Sequence, residues 1–388
     1  MANDTRLRRH PEGHPSGLPP RGTRGFSIWK VASYARSANL VDAVTRFREI
    51  GILIFLIGLI IVFSVRTPRF FGGGNFRDIL LDTSLLTIIA IGETLVIISR
   101  NIDLSVGSIV GFGSFASAVL VKDYPRLSVA IVVLAGIAIG AGLGLINGLL
   151  VTVGRIPAII ATLGTLFVYR SATYLFGTHW TATGQVYSEN LTNSFINLAT
   201  GSILGIPNLI FFAAVVAVIF SYVLRYTRFG RSIYAIGSNP EAATLAGVNV
   251  LRTTLAVFIL SGALAGLASV LWASKYANID TTQATGYELQ AVAAAVIGGT
   301  NIFGGSGSVL GTVLGSLLLG AIGNYLAISR VSEFWQRVVQ GAIILAAIVT
   351  DALINRRLQA LLQRRRSAAH TESAPTGAES VAKTGAGP

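Results

Sequence analysis

Long runs of apolar residues make up most of this chain and limit what it can fold into. A helix needs about 20 mostly apolar residues to cross a bilayer. Ten runs approach that length, at residues 50–65, 79–99, 106–122, 128–152, 157–176, 208–226, 254–276, 288–300, 308–328 and 334–354. The run at 288–300 is too short to cross unaided. The pattern therefore predicts an all-α protein, a polytopic transmembrane helical bundle of about ten helices.

The composition agrees with a membrane protein. Only 12% of the 388 residues are charged and 52% are apolar, which excludes a soluble domain of this size. The net charge of +13 does not indicate a nucleic-acid partner, because the basic residues gather at the two ends and in short loops between apolar runs. With no cysteine and four scattered histidines, we expect no metal site.

The charge distribution also predicts the domain organisation and the orientation. We expect residues 1–49 to form a basic, largely disordered cytoplasmic tail, residues 50–355 the transmembrane domain, and residues 356–388 a second disordered cytoplasmic tail. Arginines crowd the loop after the run at 208–226, which places that loop in the cytoplasm. Ten crossings then put both termini in the cytoplasm. This topology places Arg66, Arg69 and Arg77 on the outer side, which does not fit the tendency of basic residues to lie in the cytoplasm.

Two polar and glycine-rich breaks interrupt the apolar runs 200 residues apart. Seven residues recur at that offset: Val96, Ile97, Asn101, Ile102, Gly107, Ser108 and Gly111 match Val296, Ile297, Asn301, Ile302, Gly307, Ser308 and Gly311. The match predicts an internal repeat with broken helices, although a shared Gly, Ile and Val content supplies part of it. Broken helices at membrane depth indicate a permeation pathway. Two ordinary cytoplasmic turns are the alternative.

Polar residues inside or beside apolar runs are the candidates for that pathway, because each costs a few kcal/mol in lipid. Glu93 is the strongest, and we expect it to face either a polar cavity or a partner such as Arg170. Asp103 lies beside a helix start with Ser105, where an N-cap role competes with solute contact. Asp82 lies near a run end, where water or a helix terminus can satisfy it. The other predicted pathway residues are Asn101, Thr162, Asn301 and Asn324.

The loop after the run at 208–226 carries the most specific signal outside the membrane. Ser238-Asn239-Pro240-Glu241 has a cap, a proline and an acidic first turn in the order of a helix start. The pattern predicts a short helix from Glu241 to Ala246 that ends at Gly247. So short a helix is not stable alone, so we expect a partner to dock against it. A plain surface turn is the alternative.

These segments together resemble the branched-chain amino acid and ribose type permeases of ATP-binding-cassette importers. The resemblance runs from about residue 50 to 355, and its main carriers are residues 101–108, 156–165, 229–247, 298–300 and 304–307. Within the family the chain looks most similar to the permeases for rhamnose and for autoinducer-2, because Arg100-Asn101 stands where many ribose-type members read Gly-Gly.

The resemblance implies a multi-pass subunit of the bacterial inner membrane that imports a small sugar or sugar-like solute, such as rhamnose, another monosaccharide or autoinducer-2. Its implied partners are a second permease copy or homologue, cytoplasmic ATPase subunits, a periplasmic solute-binding protein and membrane lipid. No cofactor is expected in this chain, because ATP is used by the partner subunits. The loop resembles the coupling helix that contacts the ATPase, and its expected coupling residues are Arg228, Gly230, Asn239, Glu241, Ala242, Ala243 and Gly247.

Two other functions are alternatives to an importer permease. An enzyme is not expected, because no lysine follows a glycine as a phosphate-binding loop requires, and no paired carboxylates, metal ligands or nucleophile support an intramembrane reaction at Glu93 or Asp103. A proton-coupled secondary transporter is the remaining alternative. It would use Glu93 as its titrating group, and it would leave the loop around Glu241 without a purpose.

Overall fold

The computed structural model describes residues 49–332, 334–343, 345–346 and 349. The predictions for the N-terminal tail before residue 49 and for the tail at 356–388 lie outside these residues. Eight of the described helices are long and apolar enough to cross a membrane: α1 (Glu49–Arg66), α2 (Gly73–Ile98), α3 (Val106–Asp123), α4 (Val129–Thr152), α5 (Ala158–Trp180), α7 (Asn208–Tyr226), α10 (Val250–Tyr276) and α12 (Val309–Ile328).

Shorter elements connect these helices. The short α-helices are α6 (Asn193–Thr200), α8 (Arg228–Ser238), α9 (Pro240–Leu245), α11 (Tyr287–Ile297) and α13, which is described at 334–343. Two single 3-10 turns lie at Pro68–Phe71 and Ser188–Asn190. The strands β1 (Gln185–Val186) and β4 (Ile279–Asp280) pair antiparallel, as do β2 (Ser202–Ile203) and β3 (Ile206–Pro207). At 11 residues, α11 confirms that the run at 288–300 is too short to cross alone.

Helix α2 is the centre of the bundle. Of its most apolar 18 residues 89% are buried, against 22% in α4 and 28% in α5. Neighbouring helices surround α2, which contacts α7, α10, α11 and α12. The helices α1, α4, α5 and α7 instead leave broad apolar faces exposed.

Helices α4 and α10 pack through glycines, as the spacing of small residues in α4 predicts. A methyl group at Gly140 would lie 2.2 Å from the carbonyl oxygen of Gly262, and one at Gly144 would lie 2.4 Å from that of Phe258. Only residues without a Cβ allow the two backbones to approach this closely. The contact fixes α10 against α4 along several turns.

The segment expected to be a loop before the short helix is itself helical. Thr227 caps α8 by accepting a hydrogen bond from the Gly230 backbone N–H at 3.1 Å, and Ile233 and Ile236 bury its apolar face. The predicted short helix is present as α9, one residue earlier than expected, because Asn239 caps it before Pro240. Gly247 follows it with a φ of +83°, which suits a glycine.

Both breaks join a helix end to a helix start through the same kind of turn. After α2, the Asn101 N–H donates to the Val96 carbonyl at 3.1 Å, and after α11 the Thr300 N–H donates to the Ala295 carbonyl at 2.9 Å. A left-handed residue precedes each donor, Arg100 at φ 69° in the first turn and a glycine in the second. The last residues of α2 and α11 lie 199 positions apart in the sequence, whereas the first residues of α3 and α12 lie 203 positions apart. The 200-residue offset of the sequence match therefore does not superimpose the two pairs of helices.

The two breaks meet at one end of the bundle, which also carries α8 and α9. The Gly305 N–H of the second break donates to the Ile98 carbonyl of the first at 2.9 Å. Gly237 of α8 packs so closely on this contact that a methyl group there would lie 1.8 Å from the same carbonyl oxygen. Since these backbone groups pair with each other, the breaks are turns at the α8–α9 end of the bundle.

Candidate translocation and coupling site

A buried polar cluster, here called the polar knot, holds the first break together. Glu93 Oε1 accepts the backbone N–H of Asp103 at 3.1 Å. Asp103 Oδ1 accepts the N–H of Ser105 at 2.9 Å and its hydroxyl at 2.6 Å. All three residues have no exposed surface. The sequence spacing does not reveal that Glu93 and Asp103 lie together, because the turn folds Asp103 back onto the last turns of α2.

Two further residues extend the polar knot to α4 and α5. The Asn147 amide donates to the Ser105 hydroxyl oxygen at 2.6 Å, and the Tyr169 hydroxyl lies 3.2 Å from Asn147 Oδ1 and donates to the Leu143 carbonyl at 3.0 Å. Neither residue is among those that the sequence pattern singles out. A lone amide inside the glycine-rich run of α4 was the available signal for Asn147.

Thr162 belongs to the same region. Its hydroxyl accepts the Leu104 N–H at 3.1 Å and donates to the Ala158 carbonyl at 2.9 Å. The predicted residues Glu93, Asp103, Ser105 and Thr162 are therefore brought together. Asp103 does not cap α3 in the predicted way. It binds Ser105, the residue before the helix, and so shapes the turn that leads into α3.

The predicted pairing of Glu93 with Arg170 is wrong. The Arg170 side chain projects from α5 toward the start of α11. Its Nη2 lies 3.9 Å from Glu288 Oε2, and its guanidinium also donates to the Gln283 carbonyl. Asp82, expected to rely on water or a helix terminus, is instead bound by Lys275. Neither of these two ion pairs includes Glu93.

The three predicted asparagines lie apart from the polar knot. The Asn101 amide donates to the Ser99 carbonyl at 2.9 Å, in the first break. Asn301 lies in the second break, where its Oδ1 accepts the Phe303 N–H at 3.0 Å. Asn324 lies on α12, and its buried Oδ1 has no hydrogen-bond partner in the described part of the chain. The predicted pathway residues therefore occupy at least three places.

An open cavity of about 400 Å³ lies beside the first break and is lined in part by the coupling segment, which we define as α8 and α9. Arg100 and Asn101 line it on one side, and Ile236 and Pro240 line it on the other. The beginning of α10 and the end of α4 complete the wall. Any motion of the coupling segment would change the shape of this cavity.

The coupling segment is packed on its inner side and exposed on its outer side. Asn239 Oδ1 accepts the N–H groups of Glu241 and Ala242 at 3.0 and 3.1 Å, and Ala243 is buried. Glu241 is exposed and Leu245 is 91% exposed. Glu241 and Leu245 therefore form the outer face of α9.

Helix α8 is bonded directly to the second break. The Tyr234 hydroxyl donates to the Gly307 carbonyl at 2.8 Å, and burial raises the pKa of Tyr234 to about 12, so the hydroxyl remains a donor. Gly230 contributes by packing, since a methyl group there would lie 2.4 Å from the Leu224 carbonyl oxygen. Arg228 is exposed at the first turn of α8. The coupling segment therefore reaches both breaks.

Comparison with known proteins assigns the class of this molecule. Residues 75–348 match the family model described as branched-chain amino acid transport system / permease component. Because the match covers most of the chain, the protein belongs to this permease family. No solved structure is a significant match.

Curated relatives narrow the comparison. The ribose import permease protein RbsC of Escherichia coli (strain K12) is 37% identical over 299 residues, 77% of this chain and 92% of that protein. The autoinducer 2 import system permease protein LsrC of Salmonella typhi is 34% identical over 337 residues, 87% of this chain and 94% of that protein. The D-allose transport system permease protein AlsC of Escherichia coli (strain K12) is 34% identical over 335 residues, 86% of this chain and all of that protein.

Proposed function

We propose that this chain is the membrane-spanning permease of an ATP-binding-cassette importer for a small sugar or sugar-like solute. The observation that carries the proposal is the coupling segment, which is hydrogen-bonded to the second break and packed against the first, yet presents an exposed leucine and glutamate. A segment of this kind transmits motion only if a partner holds its outer face. The expected partner is a separate ATPase subunit, which would carry out ATP hydrolysis.

The solute class follows from the relatives. Their names state ribose, D-allose and autoinducer-2, which are small hydroxylated molecules. We therefore infer a monosaccharide or a compound of similar size and polarity. Rhamnose remains one candidate within this class, although no matched relative reported above carries its name.

Transport would proceed by motion of the coupling segment. When the ATPase subunits close, α9 would move with them, and Tyr234 and Gly237 would pass the motion to the two breaks. The cavity beside Arg100 and Asn101 would change shape, so that solute access alternates between the two sides of the membrane. In this account Glu93, Asp103, Ser105 and Thr162 hold the turn, and Asn101 faces the solute. Solute contact by Asn301 and Asn324 remains a prediction.

The exposed apolar faces indicate what surrounds the chain. Helix α5 exposes Ile160, Phe167 and Leu175, and α1 and α7 are exposed along most of their length. We expect membrane lipid to cover part of this surface and a second permease copy or homologue to cover the rest. The α8–α9 end and both termini would lie on the cytoplasmic side of the inner membrane. A periplasmic solute-binding protein would deliver solute to the opposite end of the bundle.

Uptake by the reconstituted importer tests the proposal. The chain would be placed in proteoliposomes with the ATPase and binding protein encoded beside it, and offered labelled ribose, D-allose, rhamnose and autoinducer-2. The proposal expects one solute to accumulate only when ATP and the binding protein are both present. Accumulation driven by a proton gradient, without either component, would instead establish the proton-coupled alternative.

A further inference from the structure

The chain between α10 and α11 enters the bundle. Residues 277–286, here called the inserted segment, follow the last residue of α10 and lead into α11. A methyl group at Gly177 of α5 would lie 2.3 Å from the Thr281 side chain. One at Gly107 of α3 would lie 3.0 Å from the Ala284 carbonyl oxygen. The inserted segment therefore packs against both α3 and α5.

The depth that the inserted segment reaches follows from its contact with α3. Arg170 of α5 extends past Gly111 to donate to the Gln283 carbonyl, and a methyl group at Gly111 would lie 2.9 Å from both partners. Gly111 is the sixth of the 18 residues of α3. At a rise of 1.5 Å per residue it lies about 8 Å from the first break and about 18 Å from the other end of the helix. The segment thus supplies part of the crossing for which α11 is too short.

Arg170 fixes the place where the inserted segment turns into α11. Its guanidinium donates to the Gln283 carbonyl, and its Nη2 lies 3.9 Å from Glu288 Oε2 in the first turn of α11. The Glu288 side chain fits against α3 because position 107 is a glycine, where a methyl group would lie 2.0 Å from Oε2. Charged groups inside a membrane protein are stable when they are paired. Arg170 is therefore a positioning residue for the segment.

The backbone of the inserted segment is irregular and partly unpaired. Ala277 and Ala284 adopt left-handed angles, with φ of 55° and 57°, which cost free energy for a residue with a Cβ. The N–H groups of Gln283, Ala284 and Thr285 donate to no group in the described part of the chain. Within a membrane, unpaired backbone groups are tolerated only where they are buried in protein or line a water-filled cavity. The segment is therefore not a surface for lipid.

Thr282 and Thr285 lie on the open side of the inserted segment, where both are exposed. The Thr282 hydroxyl donates to Asp280 Oδ1 at 2.6 Å, and the Thr285 hydroxyl donates to the Thr282 carbonyl at 2.6 Å. Because each hydroxyl proton is engaged within the chain, each hydroxyl oxygen is left to accept a hydrogen bond from outside it. The segment thus offers acceptors beside unpaired N–H donors.

We propose that the inserted segment lines the aqueous pathway and that Thr282 and Thr285 contact the solute, a small polyhydroxylated molecule. A hydroxyl group of the solute both donates and accepts, so it can bond to a threonine oxygen and to an unpaired N–H group. Lipid chains offer neither kind of partner. The identity of the solute rests on the proposed function, whereas the contact of the segment with water does not.

Single cysteines test the contact with water, because the natural chain contains none. Thr282→Cys and Thr285→Cys are assembled with the ATPase and the binding protein in proteoliposomes and treated with a charged, membrane-impermeant methanethiosulfonate. Val218→Cys is the control, since Val218 is 69% exposed on the apolar face of α7. Both threonine positions should react at least about tenfold faster than position 218, because the thiolate is the reactive form and needs water.

The solute contact is tested with whichever labelled solute the wild type accumulates. A saturating concentration of it should slow the reaction of both cysteines several-fold. Thr282→Val and Thr285→Val should each raise the solute concentration for half-maximal uptake about two- to tenfold, as expected for one lost hydrogen bond, with an unchanged unfolding temperature. The controls are Thr183→Cys and Thr183→Val, because Thr183 is exposed just before β1. The solute should not slow labelling of the first, and the second should take up solute like the wild type.

Three results would overturn the proposal. Cysteines that react no faster than Val218→Cys would place the inserted segment against lipid. Unreactive cysteines that an oxidant cross-links between two copies would place it in a permease interface. Fast labelling that the transported solute leaves unchanged would remove the solute contact. An importer that accumulates none of the labelled solutes would instead refute the proposed function, and the labelling rates would still decide whether the segment faces water.

Discussion

The polar knot and the coupling segment were both singled out from the sequence, and the structure shows that they differ in how their polar groups are used. In the polar knot nearly every group is bonded within the chain and no surface is exposed. In the coupling segment the inner face is packed, but Glu241 and Leu245 face outward. The first region can therefore act only through the shape of the fold. The second can act only through a molecule that binds it.

This difference predicts that the two regions respond to substitution in separate assays. Changes in the polar knot should lower the stability of the chain. Changes on the outer face of the coupling segment should leave stability intact and abolish coupling. The predictions below run from the largest expected effect on stability to the smallest.

Gly237→Ala should have the largest effect, because it disrupts the contact between the coupling segment and the two breaks. The added methyl group would lie 1.8 Å from the Ile98 carbonyl oxygen and 2.4 Å from the Gly305 nitrogen, and neither backbone can move freely. Overpacking of this kind costs about 1–3 kcal/mol or more. Thermal unfolding and uptake should both be impaired. Gly142→Ala is the control, since nothing lies within 4 Å of the added group, and equal stability of the two variants would refute the contact.

Ser105→Ala should destabilise the chain through the polar knot alone. It removes a donor to Asp103 and the acceptor of the Asn147 amide, leaving buried groups unpartnered at a cost of about 1–3 kcal/mol. The measurement is the free energy of unfolding in detergent. Ser128→Ala serves as the control because Ser128 is exposed and its side chain does not cap α4. If both variants unfold alike, the polar knot does not stabilise the turn.

Tyr234→Phe should have a moderate effect, since it removes one hydrogen bond between α8 and the second break. The expected loss is about 0.5–1.5 kcal/mol. Because burial raises the pKa of Tyr234 to about 12, the folded state keeps the hydroxyl proton up to a higher pH than the unfolded state does. Its contribution is complete below about pH 10, the pKa of an unperturbed tyrosine, and is lost as the pH rises toward 12. The measurement is the free energy of unfolding of both proteins between about pH 8 and about pH 12. If the difference between wild type and Tyr234→Phe does not shrink above about pH 10, the hydrogen bond is wrongly assigned.

Leu245→Ser should leave stability unchanged, within about 0.5 kcal/mol, because the side chain is 91% exposed. The variant should nevertheless retain less ATPase subunit when the complex is purified. Leu204→Ser is the matched control, because Leu204 is 97% exposed between β2 and β3. Equal retention of the ATPase by both variants would show that α9 is not the docking surface.

The sequence predicted most of what depends on local pattern. Apolar runs located the helices, and the cap, proline and acid around Asn239 located α9 within one residue. Helix α8 was missed because its polar residues and Gly230 and Gly237 resemble a loop, while its buried face depends on contacts with α2 and the second break. The pairing of Glu93 with Asp103 could not be predicted from spacing, since it depends on how a turn folds back onto a helix.

The repeat shows the same limit. The residues that are identical at an offset of 200 form two turns of the same type, but the matching asparagine side chains make different hydrogen bonds. Asn101 donates to Ser99, whereas Asn301 accepts from Phe303. Matching residue types do not imply matching contacts when the surrounding helices begin at different offsets.

ATP-dependent uptake by Glu241→Arg tests the central claim most directly. Glu241 is exposed at the first turn of α9, and reversal of its charge should prevent docking of the ATPase without disturbing the fold. Glu189→Arg is the control, because Glu189 is exposed in the 3-10 turn between α5 and α6. The account predicts that Glu241→Arg inserts and unfolds like the wild type but transports nothing and retains no ATPase subunit, while Glu189→Arg retains the ATPase subunit. Normal uptake by Glu241→Arg would contradict it.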